Sequence, residues 1–284
     1  MTTAATTSPP PNRTATTENF PVGSWLLPAP LRPSVAVFYR LARAADDIAD
    51  ASSLDQETKL ARLKAIDQAL LTGQADGDAP ELGFALDLKR HFDERGLSVE
   101  HSRHLLQAFM ADAVNRPCRS WSDLLAYCRY SANPVGRFLL ELHGESRETW
   151  PASDALCTSL QILNHLQDCK DDYAKLTRLY VPLHWLTQAG LTPRALLAPA
   201  AGPELRSVLD RVLDGVDQLN QRAALLPGGV ANRGLRMESA VIVTVAQRLA
   251  AKLRRNDPIA GRVALSKLQQ VGALITGVIR GFRR

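Results

Sequence analysis

At 284 residues the chain is long enough to bury an extensive core, and 45% of it is hydrophobic while only 6% is aromatic. Alternating Val/Ile/Thr runs are nearly absent, which excludes a sheet protein and predicts an all-α fold. Lys and Arg outnumber Asp and Glu by 34 to 29, a formal charge of +5 that suits nucleic acid, a phosphorylated substrate or an acidic membrane surface.

No basic or aromatic nucleic-acid motif accompanies that excess, so no nucleic-acid partner is expected. Cys118, Cys128, Cys157 and Cys169 form no C-x-x-C pair and nothing resembles a secretory signal. Reduced thiols in a cytoplasmic protein are the expectation.

Residues 1–17 are rich in Thr, Ala and Pro with little to pack, and read as a disordered leader. Order is expected to begin near Asn19-Phe20, with one helical domain over residues 18–284. The Pro28–Pro33 run leads into a first long helix over 34–50. Helical patterns follow over 55–72, 81–95, 98–114, 120–130, 134–143, 153–175, 192–198, 203–225, 235–255 and 263–281, broken by Gly73–Pro80, Gly96, Arg116-Pro117 and Pro227–Gly229. No solenoid period is present, and one bundle-like domain is the economical reading.

The first helix carries RLARAADDIAD, in which Tyr39, Arg43, Asp46 and Asp50 step by 4, 3 and 4 onto one face. Asp47 turns about 100° away. Carboxylates four apart repel each other, so this pair calls for a positive partner. Along the helix over 153–175 the spacing recurs: Gln161, Asn164, Asp168, Asp172 and Lys175 step by 3, 4, 4 and 3. Either stripe alone reads as a solvated face. Two of matched spacing, each beside a base and each in Ala/Leu-rich sequence, read as a facing pair.

Carboxylate, amide carbonyl and water form the ligand set of a hard cation. Mg²⁺ takes one or two carboxylates and leaves positions for phosphate oxygens. Arg43, Lys175 and Arg178 suit the diphosphate itself. A di-iron bundle is the chemical competitor, but it needs Glu-x-x-His pairs that are missing near the stripes. His101 and His104 lack a matching acidic partner and read as core or surface residues, while His165, one residue off the stripe, is expected to face elsewhere. Val271–Ile279 is too short to span a membrane. Followed by Arg280, Phe282, Arg283 and Arg284, it suits either a membrane surface or an ordinary last helix with a solvated end.

At these residues the sequence resembles the squalene and phytoene synthase family, all-helical class I prenyl synthases whose two aspartate-rich helices face each other across a central cavity. DDIAD resembles the first motif and NHLQDCKDD the second. From about 19 to about 270, ENFPVGSWLLPAPLRPSVAVFYRLARAADDIAD, YCRYSANPVGRFLLELHG and GLRMESAVIVTVAQRLAAKLRRNDPIAGRVALSKL are similar to the hydroxysqualene synthase branch of hopanoid pathways.

The resemblance implies that Asp46, Asp50, Asn164, Asp168 and Asp172 bind Mg²⁺, with Mn²⁺ as a substitute. It places Phe20, Arg43, Arg137, Gln161, Lys175, Arg178 and Tyr180 against a prenyl diphosphate, and makes Tyr39, Tyr127, Tyr130 and Asn133 the polar candidates for handling a reacting water. The implied reaction converts presqualene diphosphate to hydroxysqualene. Condensation of two farnesyl diphosphates is the alternative reaction, and a non-catalytic helical assembly protein the non-enzymatic one. No nicotinamide is expected: no Gly-x-Gly-x-x-Gly follows a strand, and Gly228, Gly229 and Gly234 read as a loop. Peripheral contact with the inner membrane face through the basic tail, and contact with neighbouring hopanoid enzymes, complete the expected partners.

Three positions depart from common family patterns. Ser131–Gly136 stands where condensing members commonly read Val-Ala-Gly-x-Val-Gly, Ala51 where an acid often follows the first motif, and Thr177 where Gly or Asp is frequent.

Overall fold

The computed structural model describes residues 27–282, so the expected leader and Phe20 lie outside the described residues. In chain order the helices are α1 (Arg32–Asp50), α2 (Gln56–Thr72), α3 (Pro80–Asp93), α4 (Glu100–Ala113), α5 (Trp121–Ser131), α6 (Asn133–Leu142), α7 (Trp150–Leu176), α8 (Leu183–Gln188), α9 (Pro203–Ala223), α10 (Leu226–Gly229), α11 (Arg233–Arg255) and α12 (Lys267–Phe282). The described residues contain no strand.

Local chemistry sets the ends. Asp55 accepts from the Thr58 amide at the start of α2, Ser120 and Asp123 form a capping box on α5, and Asn232 accepts from the Leu235 amide on α11. Several elements depart from expectation. α7 starts at Trp150 rather than 153, because Pro151 falls in the first turn, where its missing amide costs nothing. The 192–198 segment is a 3-10 turn over Pro193–Leu197. α8 has only six residues, too few to show a helical period, and Leu226–Gly229 makes one helical turn where a loop was expected.

The core divides into two lobes. Leu41, Ile66, Leu70, Leu88 and Phe92 fill the first, between α1, α2, α3 and α4. Leu124, Leu163, Val212, Val216 and Leu249 fill the second, around α5, α7, α9 and α11.

α6 joins the lobes. Phe138 stacks between Phe38 and Phe92, at ring-centroid distances of 4.2 and 5.5 Å. Elsewhere on α6, Gly136 lies so close to α7 that a Cβ there would sit 2.5 Å from Ser153 Oγ and 2.6 Å from Cys157 Sγ. All four cysteines are free, and burial pushes the Cys118, Cys157 and Cys169 thiols up to about 12. Among the described residues no helix is long and apolar enough to cross a membrane.

Gly136→Val should therefore wedge α6 off α7 and cost about 1–3 kcal/mol. Gly83→Ala, on the exposed face of α3 with nothing near its Cβ position, should instead stabilise by about 0.4–1 kcal/mol. Urea unfolding of both variants checks the contrast.

Candidate active site

The site is assembled at the C-terminal end of α7. There the Thr177 amide bonds back to the Tyr173 carbonyl, an αL cap, and the Arg178 amide bonds to the Asp172 carbonyl. The turn needs a left-handed residue, and Thr177 supplies it at φ 56°. A β-branched residue pays steric strain in that region.

Directly after the turn, the buried side chain of Arg178 reaches the end of α1. Its Nη1 donates to Asp50 at 2.6 Å and its Nη2 to the Ala49 carbonyl at 3.2 Å. Lys59 of α2 donates to the same carbonyl at 2.9 Å. Burial opposes the charge of Arg178, but the nearby Asp112 and Asp50 carboxylates more than offset it, and the guanidinium stays protonated. Its Nε is buried without an acceptor.

On α1, Arg43 donates to Asp46 at 2.6 Å and to Asp47 at 3.4 Å, and Tyr39 lies half-buried one turn earlier. Burial, followed by repulsion from Asp50, raises the Asp46 carboxyl from 3.8 to about 7.

From α4, Asp112 enters the same space. It accepts from the hydroxyls of Tyr127 and Tyr180, each at 2.8 Å. Burial pushes its carboxyl upward against the opposing pull of Arg178 and the two phenols. Tyr180 in turn stacks on His165 with centroids 3.6 Å apart. The His165 ring contacts Gln161 Nε2 at 3.2 Å and stands 3.8 Å from Asp172. His165 thus faces the site, contrary to expectation, because an α-helix of this length presents a broad arc to the seam rather than a single line.

Asp168 and Asp172 retain only 16% and 17% of their side-chain exposure, and Arg262 stands 3.9 Å from Asp168. Asn164 is half-buried on the same helix.

Other predicted residues lie apart from this group. Arg137 binds Asp154 through two nitrogens and covers the Trp150 ring. Asp154 is 14 residues before Asp168, about 21 Å along the helix. Lys175 is exposed and pairs with Asp171 at 2.9 Å. Tyr130 meets His104 edge-on, and Asn133 accepts from Thr158 at 2.9 Å.

Asp112, Lys59 and Arg262 escaped the sequence reading, and His165 was turned away from the site by it. Only Asp112 left a signal, as a lone acid in the apolar run LQAFMADAV.

Among the described residues no three acidic, imidazole or thiol groups converge as a ready-made metal cage. The donors nevertheless suit a hard cation, which completes its shell with water and phosphate oxygens. Between them, α1 and α4 enclose a cavity of about 10 Å³ lined by Phe38, Ala42, Ala45, Ser102, Leu105 and Phe109, room for one water.

The squalene/phytoene synthase family profile matches residues 13–269. The chain belongs to that family. It is 39% identical to a hydroxysqualene synthase of Rhodopseudomonas palustris over 93% of this chain and 90% of the relative. It is 38% identical to one of Sinorhizobium fredii over 89% and 85%. The crystal structure of squalene synthase HpnC from Alicyclobacillus acidocaldarius superposes with a TM-score of 0.70 at 30% identity, covering 82% of this chain and 87% of that one. Here the residue joining the two aspartate-bearing segments is Arg178.

Replacing the strained cap by the residue frequent in the family, Thr177→Gly, should raise the melting temperature. The net gain stays below about 1 kcal/mol once glycine's unfolded-state entropy is set against the relieved strain. Because folding lifts the Asp46 carboxyl from 3.8 to about 7, the folded chain holds an extra proton between those values. Its contribution to stability is complete at low pH, falls as pH rises through that window and is flat above it. Asp46→Asn should remove that part of the pH dependence in urea unfolding.

Proposed function

We propose that the chain is a hydroxysqualene synthase. It ionises presqualene diphosphate and lets one water capture the carbocation. The carbon–oxygen bond breaks with its electron pair going to the diphosphate, and water oxygen forms the new bond while losing a proton. Hydroxysqualene and diphosphate are the products.

The observation that carries the substrate class is the convergence of Asp46 and Asp50 with the α7 motif through Arg178, beside an apolar seam. The choice of reaction rests on the relatives: three hydroxysqualene synthases are 37–39% identical to this chain, whereas the Paracoccus 15-cis-phytoene synthase is 26% identical.

Asp46, Asp50, Asn164, Asp168 and Asp172 would hold Mg²⁺, or Mn²⁺ in its place, which would supply charge neutralisation to the departing diphosphate. Arg178 offers its unpartnered Nε, a buried donor suited to a phosphate oxygen. Arg43 and Lys59 add positive charge at the mouth. Tyr127 and Tyr180 spend their protons on Asp112, so their oxygens are left as acceptors able to orient a water. Phe38, Leu105 and Phe109 keep the neighbouring space dry, which protects a carbocation from indiscriminate capture.

Purified protein given Mg²⁺ and presqualene diphosphate should yield hydroxysqualene by mass spectrometry, and farnesyl diphosphate alone should not be consumed. Consumption of farnesyl diphosphate alone would overturn the assignment in favour of condensation. Asp46→Asn and Asp168→Asn should each lower kcat at least ~100-fold with unchanged far-ultraviolet circular dichroism.

A further inference from the structure

α12 has its amphipathicity inverted. Ala273, Gly277 and Gly281 recur every fourth residue on one face, and that face is pressed against α11. A Cβ on Gly277 would lie 2.4 Å from Val241 Cα, and one on Gly281 2.9 Å from Met237 Cα. The large apolar residues are left on the opposite side. Leu268, Val271, Ile275 and Ile279 fall within about 80° of one another at 100° per residue, and they are 86%, 52%, 56% and 49% exposed.

The charge carried by the chain after Asp257 has one sign. Asp257 is the last acidic residue of the chain, and the five bases after it, Arg262, Lys267, Arg280, Arg283 and Arg284, equal the whole formal excess of +5. Everything before is neutral in balance. Lys267 and Arg280 are exposed on the flanks of the apolar stripe, where long side chains can keep their charged ends in water while the stripe is buried.

We infer that α12 docks this protein on an anionic bilayer, lying parallel to the surface with Leu268, Val271, Ile275 and Ile279 among the acyl chains and its bases among the headgroups. The small-residue seam fixes the helix to the body, so docking orients the whole molecule. The segment before α12 is held to α7 by Gln167, which donates to the Val263 carbonyl one residue before Asp168 in sequence. The docked surface and the aspartate site are therefore joined by a short length of ordered chain. The inference stands independently of the reaction assigned above.

Flotation of the full chain with vesicles, in the absence of substrate, separates the two questions. The protein should float with phosphatidylcholine/phosphatidylglycerol vesicles, float poorly with phosphatidylcholine alone, and be released by salt. Leu268→Gln/Ile275→Gln/Ile279→Gln should cut the partition coefficient at least ~10-fold while keeping the melting temperature and the turnover of detergent-dispersed substrate. Each base contributes roughly fivefold in partition, so Lys267→Gln/Arg280→Gln should lower it about 25-fold. No flotation with the anionic vesicles, or equal flotation of the triple variant, overturns the proposal. So does a wild-type dimer that fails to float and that the triple variant splits into monomers, because the face then covers a second copy.

Discussion

One buried guanidinium holds the two halves of the site together. Arg178 and Asp50 are far apart in the chain yet 2.6 Å apart in space, and the helices that carry the two acidic motifs meet through them. The contact works because Arg178 is buried beside the carboxylates that neutralise it. Asp46 and Asp112 are drawn out of water close to the Asp50 carboxylate, where like charges repel. A guanidinium removed from water requires paired oxygens around it. The αL cap at Thr177 aims the side chain, so a strained backbone position in one lobe sets the electrostatics of the other.

The seam between the lobes explains why polar groups survive there. Asp112 of α4 accepts hydrogen bonds from phenols of α5 and of the segment after α7, and His165 stacks on Tyr180 beside Gln161 of its own helix. Such a network is costly if any member is lost and rigid when complete. Next to it, α1 presents Ala42 and Ala45 on the face adjoining Arg43 and Asp46. Polar and apolar surfaces thus adjoin along a single helix, the arrangement that a ligand with a charged head and a hydrocarbon tail requires.

The departures from family pattern acquire physical content in the same way. Within Ser131–Gly136, Ala132 breaks the helix between α5 and α6, Asn133 takes a hydrogen bond from Thr158, and Gly136 lets α6 touch α7. The segment is a joint between lobes. Thr177 keeps the left-handed turn that Gly would adopt freely, and the turn survives because Arg178 is anchored beyond it.

Amphipathic periodicity made the helices legible, since most of them bury one apolar stripe and end at Pro, Gly or a capping side chain. The carboxylate stripes were legible for the same reason: spacing of three and four residues fixes which side chains share a face. Partners across helices were not. Asp112, Lys59 and Arg262 carry no local pattern that points to the site, and His165 was misjudged because its ring turns toward Tyr180, a residue placed only by the turn at Thr177. Arg137 looked equally available in sequence, but Asp154 and Trp150 engage it well away from the acidic group. By itself, then, the sequence determined the helices and the faces of the acidic motifs, because those depend on neighbours within two turns. Which charges meet was decided by tertiary packing alone, because burial and pairing depend on side chains that the chain brings together only when both lobes have closed.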